Sequence, residues 1–598
     1  MTHEIKQESG AKKFWRIVFG TMVGLFFSSI IVSILSFIFM VGIIAAVSSG
    51  SSSTVVEKNT VLKIKLDCDI TERTADNPFD GMDLGAYSKS SIGLNDILKA
   101  LKAAATDDNI SGIYLNVYDV PAAFATVEEI RNAIIEFKES GKFVYAYSEG
   151  YSQRGYYLAS AADKVFLHEK GEMEFRGLAM QVMFYKGLLD KLGVEMQVIR
   201  HGQFKSAVEP YILNKMSEAN RLQMETLCNS LWETMSANLS ASRNIALDSL
   251  NYFANNLIPQ NAQAALKHGF VDGLLYSRDF EDTLRNLLDI AADKDINTIS
   301  LSEYAKCCPA ENTKGSDKIA ILYAVGEIKD GKGSDEVIGS ETLCKAIRKA
   351  YKDSDVKAIV LRVNSPGGSA LASEIIWREI EAAKAAGKIV VTSMGDYAAS
   401  GGYYISCNSD MIFAEPNTLT GSIGVFGMLP NVQNFLKDKL GITVDVVKSN
   451  AHADSYTGMR KLDAVETARM QTSVEECYAT FTGRVAAGRG MTVEAVDEIG
   501  QGRVWTGKDA LGLGLVDKLG HIDDAINAAA KMAKLTDYSI VTYPKQKTWY
   551  ESFLDSDKDK VKILQSELGD LYEPYAALRN VMDAKGLQAR MPMEIIFE

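Results

Sequence analysis

The chain is poor in the residues from which metal and nucleic-acid sites are built. Its six histidines include no HExxH pair, and its seven cysteines (68, 228, 307, 308, 344, 407 and 477) contain no CxxC spacing. No zinc site can be read from them, and no motif calls for a cofactor. The cysteine count is odd, so no disulfide framework can be assigned and at least one thiol is left over. Positive charge is also scarce. The net charge is −13, and no dense Lys/Arg cluster follows the N-terminus. Phosphate neutralisation needs a basic face, so the composition argues against a nucleic-acid partner.

From Ile17 to Val47 charge is missing altogether. A helix crosses a bilayer with about 20 apolar residues, and this run exceeds that as well as the about 7–15 of a cleaved signal's apolar core. Residues 17–47 are therefore expected to span a membrane. Lys6, Lys12, Lys13 and Arg16 precede the run, and the uncharged Ser48–Thr54 follows it. The positive-inside rule puts residues 1–16 in the cytoplasm and all after Val47 outside. The expected location is thus the inner membrane, with one span and a periplasmic body.

At 598 residues the chain exceeds one core, and it contains a diverged duplication. From Ile92-Gly93 against Ile338-Gly339 the copies align without a gap at an offset of about 246 residues. Gly141-Lys142-Phe143-Val144 matches Gly387-Lys388-Ile389-Val390, Tyr151 matches Tyr397, and Gly155 matches Gly401, which sets Ser400 opposite Arg154. Further on, Gly193-Val194 pairs with Gly441-Ile442, setting Lys205 opposite Ala453. Each copy alternates apolar strands with helices, the signature of parallel βαβ units. The expected organisation after the span is a linker at 48–56, one domain at 57–305, a linker at 306–316, a second domain at 317–542, and an appendage of helical pattern at 543–598.

Ser400, in Tyr397-Ala-Ala-Ser-Gly-Gly402, is expected after the strand Ile389–Ser393 and a short turn, at the head of an apolar helix. That is where α/β enzymes expose nucleophiles. A second loop, Asn364-Ser-Pro-Gly-Gly-Ser369, follows the preceding strand and should emerge at the same sheet edge. Amides of Gly368 and Gly401 then face one developing oxyanion. The first copy has Tyr118-Asp-Val-Pro-Ala-Ala123 there and lacks the diglycine. The serine needs a base. His201 and His452 read as structural; a lysine serves if burial keeps its amine neutral. Lys205 lies among Phe204, Ala207 and Val208.

These stretches, with Phe204-Lys-Ser-Ala-Val-Glu-Pro210 and Leu419-Thr-Gly-Ser-Ile-Gly-Val425, resemble the S49 family of signal peptide peptidases in its long, duplicated, membrane-anchored form. The resemblance covers nearly all of the chain after Glu57. It implies two tandem α/β domains of the ClpP/crotonase type and a serine endopeptidase that degrades remnant signal peptides. By motif, Ser400 is the nucleophile and Lys205 the general base, each from a different copy. Ser422 holds the lysine amine and Gly368 belongs to the oxyanion loop. It also implies a homo-oligomer, a tetramer in this form. The alternatives are an inactive membrane-anchored scaffold and a crotonase-type acyl-transfer enzyme. Four intact motifs argue against the first, and an extracytoplasmic location without CoA argues against the second.

Overall fold

The computed structural model describes residues 10–49, 55–74, 91–308, 315–546 and 586–591. The N-terminal unit is a single helix, α1 (Gly10–Ser49), which contains the expected span. Its stretch Phe14–Ser36 has a mean hydropathy of 2.3 and presents its side chains outward, as a helix does when lipid is its solvent. Residues 1–9, 309–314, and most of the expected appendage (547–585 and 592–598) lie outside the described residues.

From Val56 on, the described residues form one body in which the two copies are not separable units. The first copy runs β1 (Thr60–Ile64), α2 (Leu94–Thr106), β2 (Ile110–Leu115), α3 (Phe124–Lys138), β3 (Phe143–Tyr151), α4 (Gln153–Ala159), β4 (Lys164–Met173), β5 (Glu195–His201) and α5 (Glu218–Arg243). The second runs β6 (Lys318–Val325), α6 (Ser340–Lys352), β7 (Val356–Ser365), β8 (Gly367–Ser369), α7 (Ala370–Ala385), β9 (Ile389–Ala399), α8 (Gly401–Ser406), β10 (Met411–Ala414), β11 (Leu419–Gly421), β12 (Val425–Asn431) and β13 (Val504–Thr506). A last strand, β14, is Gln588–Arg590.

The helices form where apolar residues recur every three or four positions. Leu94, Ile97, Leu101 and Ala104 bury one face of α2, and Leu343, Ile347 and Ala350 one face of α6. The parallel strands read as continuous apolar runs because both faces are covered. All eight residues of β6 except its ends are buried. In the first copy β4, β3, β2 and β1 lie side by side, all parallel, and in the second β9, β7 and β6 do the same. A third sheet mixes the copies: β8, then β14, then β12, then β5. There β5 of the first copy pairs antiparallel with β12 of the second along its whole length, from His201 opposite Val425 to Glu195 opposite Asn431.

Two expectations need correction. No turn separates strand from serine: β9 continues to Ala399, because after its register shift it gains β11 as a neighbour, which pairs Tyr397, Ala398 and Ala399. The ungapped register also slips by one residue across this strand. The ungapped offset matches Tyr157 to Tyr403, but Tyr156 does the work of Tyr403: each donates its hydroxyl to the carbonyl of a matching residue, Phe270 or Leu515. Ser400 therefore stands opposite Gln153 rather than Arg154.

The copies are also clamped by buried charge. Arg362 on β7 is fully buried and donates to Glu72 (2.9 Å) and Glu129 (2.7 Å) of the first copy. Asp396 accepts from the Thr126 amide and hydroxyl at 2.8 and 2.7 Å. Asn417 donates to Glu128 at 2.9 Å.

Candidate active site

Ser400 occupies the junction of β9 and α8 with φ 55° and ψ −112°. This left-handed conformation costs a non-glycine residue about 1–3 kcal/mol and persists only where the surroundings impose it. Here they do: the Ser400 amide donates to the Gly421 carbonyl at 2.8 Å, and its own carbonyl accepts from Tyr404 at 2.8 Å, starting the helix. The hydroxyl is thereby turned away from the helix, and Ser400 makes no side-chain cap.

Lys205 reaches it from the first copy. Its amine lies 2.8 Å from Ser400 Oγ, 3.0 Å from Ser422 Oγ and 3.1 Å from the Ser422 carbonyl. Lys205, Ser400 and Ser422 are all completely buried. Burial pushes the Lys205 amine well below the usual lysine range, since a charged ammonium loses its water there. An amine neutral at this position has a lone pair, and of the two serine hydroxyls beside it Ser400 is the nearer.

Lys205 stands just before a 3-10 turn at Ser206–Val208 that runs into the helical turn Glu209–Ile212. It follows β5, whose pairing with β12 brings the end of the first copy to the start of the Ser422 turn. The backbone is then pinned by the Phe204 amide on the Gln501 carbonyl (2.9 Å) and by Arg200, which donates to the Lys205 carbonyl (3.0 Å). Glu209, fully buried, accepts from Ser217 and Asn220 and lies 3.6 Å from Arg200. Gly502, at φ +81°, allows the closest approach: a Cβ there would lie 2.6 Å from Lys205 Cβ. Gly502 and Gln501 carry no motif, and the sequence offered no signal for them.

Gly367 and Gly368 have φ of +98° and +154°, which bends the loop after β7 towards Ser400. A Cβ on Gly367 would stand 2.7 Å from the Gly401 amide nitrogen, so only glycine fits. Gly367 therefore packs directly against the amide that follows Ser400, and Gly368 packs against the Ile328 backbone. The two histidines are engaged elsewhere. His201 stacks on Tyr478 and contacts Glu475 at 2.6 Å. His452 lies by Asp463 and Glu466 (3.3 and 3.5 Å), and Arg460 also binds the Glu466 carboxylate.

The site is not open. Leu587–Met591 lies across it, with β14 between β8 and β12. Nothing in the short, mixed Gln-Ala-Arg sequence signals a strand.

The profile of Peptidase family S49 matches residues 136–291 and 382–536, one segment in each copy. Protease 4 of Salmonella typhi is 39% identical over 578 residues, covering 92% of both chains. Protease 4 of Haemophilus influenzae is 35% identical over 542 residues, 87% of this chain and 88% of that one. A putative signal peptide peptidase SppA of Enterococcus faecium is 36% identical over 246 residues, 40% of this chain and 71% of that one. With both copies matched by the profile and two relatives matched over most of their length, the chain belongs to peptidase family S49 and is a serine protease.

Proposed function

We propose that the chain is a membrane-anchored endopeptidase that works through a Ser400–Lys205 dyad and clears signal peptides left in the membrane after secretion. The observation that carries the reading is the 2.8 Å approach of a buried, neutral-leaning amine to a strained serine hydroxyl. Ser400 Oγ attacks the peptide carbonyl while Lys205 takes its proton. The oxyanion forms against the Gly368 and Gly401 amides, which cost no reorganisation because the backbone already holds them. Lys205 next protonates the leaving amine, and water, deprotonated by the same lysine, hydrolyses the ester. Ser422 keeps the amine aimed at Ser400 throughout.

The substrate class rests on the signal-peptide name of the Enterococcus relative and on the small residues around Ser400, which suit small or apolar side chains near the cut. The anchor rests on α1. We take its basic flank as cytoplasmic and the catalytic body as periplasmic, with residues 57–305 and 317–542 as the two domains of a homo-oligomeric, tetrameric enzyme. A fluorophosphonate probe is expected to label Ser400 in the wild type and not in Lys205→Ala. Equal labelling of both would remove Lys205 as the base.

A further inference from the structure

Leu587–Met591 does what a substrate would have to do. On one side it forms an antiparallel ladder with the oxyanion loop, pairing Gly367 with Arg590, Gly368 with Ala589 and Ser369 with Gln588. The ladder is extended by Ala370 donating to the Leu587 carbonyl (3.1 Å) and Met591 donating to the Pro366 carbonyl (2.7 Å). On the other side Gln588 pairs with Phe426 of β12. Ala589, a small residue, is buried, and its carbonyl oxygen lies 2.1 Å from where a Cβ on Gly367 would stand and 3.1 Å from one on Gly401. The Ala589 carbonyl thus lies beside the contact between Gly367 and Gly401, the residue that follows Ser400. Two residues on, Met591 is buried in an apolar pocket made by Met224 and Leu227 of the first copy and by Ala399, Leu419 and Val504 of the second. With this strand in place Ser400 has no exposed surface.

We propose that Leu587–Met591 is a resident competitor for the peptide groove, bound in substrate register, and that the pocket under Met591 selects apolar side chains two residues past the cut. This deepens the dyad reading and rests on it. The backbone ladder is indifferent to side chains, so an incoming peptide can replace the strand bond for bond. Displacement then sets the apparent affinity, because only the fraction of chains with an empty groove binds substrate. Among the described residues the strand has one ladder pairing on the β12 side, and Arg590 makes a half-buried contact with Glu327 at 3.3 Å.

The test uses the full chain in detergent beside a variant ending at Gly586 and the full-length variant Met591→Asp. Removing the strand is expected to lower KM for a soluble peptide reporter and to raise the rate of fluorophosphonate labelling at Ser400 by about tenfold or more. Met591→Asp is expected to move both in the same direction, and it covers the case in which the truncated chain does not fold. The free peptide Leu-Gln-Ala-Arg-Met should compete with the reporter on the truncated chain. Reporters with Met two residues past the cut should be cleaved faster than those with Asp. Labelling equal in all three proteins, or a free peptide that fails to compete, overturns the resident strand. Equal cleavage of Met and Asp reporters overturns the pocket. Absence of Ser400 labelling in every variant would instead sink the dyad, which keeps the two failures distinct.

Discussion

The two copies keep the same scaffold contacts and differ at the loops. In the first, Asp272 accepts from the Val165 amide at 2.8 Å and meets Arg243 at 3.0 Å; in the second, Asp517 accepts from Ile412 at 2.8 Å and meets Arg489. Asp163 caps Val144 and Asp410 caps Val390, both at 2.8 Å. Where the second copy places Ser400 and its diglycine loop, the first is filled by its own chain. The Tyr118 carbonyl stands 2.1 Å from where a Cβ on Gly155 would be. Arg154 donates to the Ala122 carbonyl at 3.1 Å and lies 3.7 Å from Asp119. The first copy thus spends its loop on its own packing, and the residue it sends to Ser400 is Lys205, beyond its sheet. On the proposed dyad, one copy supplies the base and the other the nucleophile, at the cost of a joint between them that must be held to tenths of an ångström.

Breaking the division of labour should have the largest effect. Ser400→Ala and Lys205→Ala are each expected to lower kcat/KM on a soluble reporter by about 10⁴-fold or more, since members of a catalytic unit fail together. Lys205→Arg should fail as well, because a guanidinium stays protonated. In the wild type kcat/KM follows the neutral fraction of Lys205: it should rise with pH through the lowered pKa and level off above it. Deleting residues up to Val47 should spare this activity. Normal turnover by Lys205→Ala would end the comparison between the copies.

The joint comes next. Arg362→Met leaves Glu72 and Glu129 buried without their cation, and breaking such a pair costs about 3–5 kcal/mol. Urea unfolding should show the loss. Asn116, at the corresponding position of the first copy, is only partly buried and donates to the Tyr147 carbonyl, so Asn116→Ala should cost far less.

Acid should tighten the same joint. Burial pushes the Glu128 carboxyl up to about 7, so the folded chain holds that proton more tightly than the unfolded one. Its contribution is present below the unfolded pKa and is lost as pH rises through about 7. The Tm should be higher near about pH 5.5 than near about pH 8.5, and Glu128→Gln should narrow the gap.

How much of this was legible follows from where the signal lies. The alternation of helices with strands was read because buried helix faces repeat every three or four positions, as in α2 and α6. The parallel units were read because each strand has a short apolar run, such as 358–361 in β7 and 389–391 in β9, between helical stretches. Ser400, Lys205 and Ser422 were all named, and their side chains meet at 2.8 and 3.0 Å; of the named diglycine it is Gly367, not Gly368, whose Cβ position lies against the Gly401 amide. What failed depends on tertiary pairing. The end of β9 is fixed by β11, a strand of three residues, and no local pattern encodes that neighbour. The one-residue slip that moves Ser400 opposite Gln153 is invisible until Tyr156 and Tyr403 are seen to bond matching carbonyls, those of Phe270 and Leu515. Gly502 matters only through its approach to Lys205, and β14 only through the two strands it lies between.

Ser422→Ala sharpens the comparison at smaller amplitude. Ser422 Oγ is one of two serine hydroxyls on the amine, and the Ser422 carbonyl remains as a second anchor at 3.1 Å. One such hydrogen bond is worth about 0.5–1.5 kcal/mol, so kcat should fall about tenfold with little change in KM. A split in the opposite sense would mean that Ser422 binds substrate rather than orienting the base.

The smallest effect is expected from Lys448→Ala, the lysine of the second copy nearest the position that matches Lys205. It sits in an exposed stretch and pairs with Asp454 at 3.0 Å, and Arg460 holds the same carboxylate. Surface pairs of this kind contribute about 0–1 kcal/mol, and the arginine remains when the lysine is gone. Turnover should stay within about twofold of wild type and the unfolding midpoint nearly unchanged. A large loss of activity here would place a second functional lysine in the serine-bearing copy, and the strict division between the two halves would no longer hold.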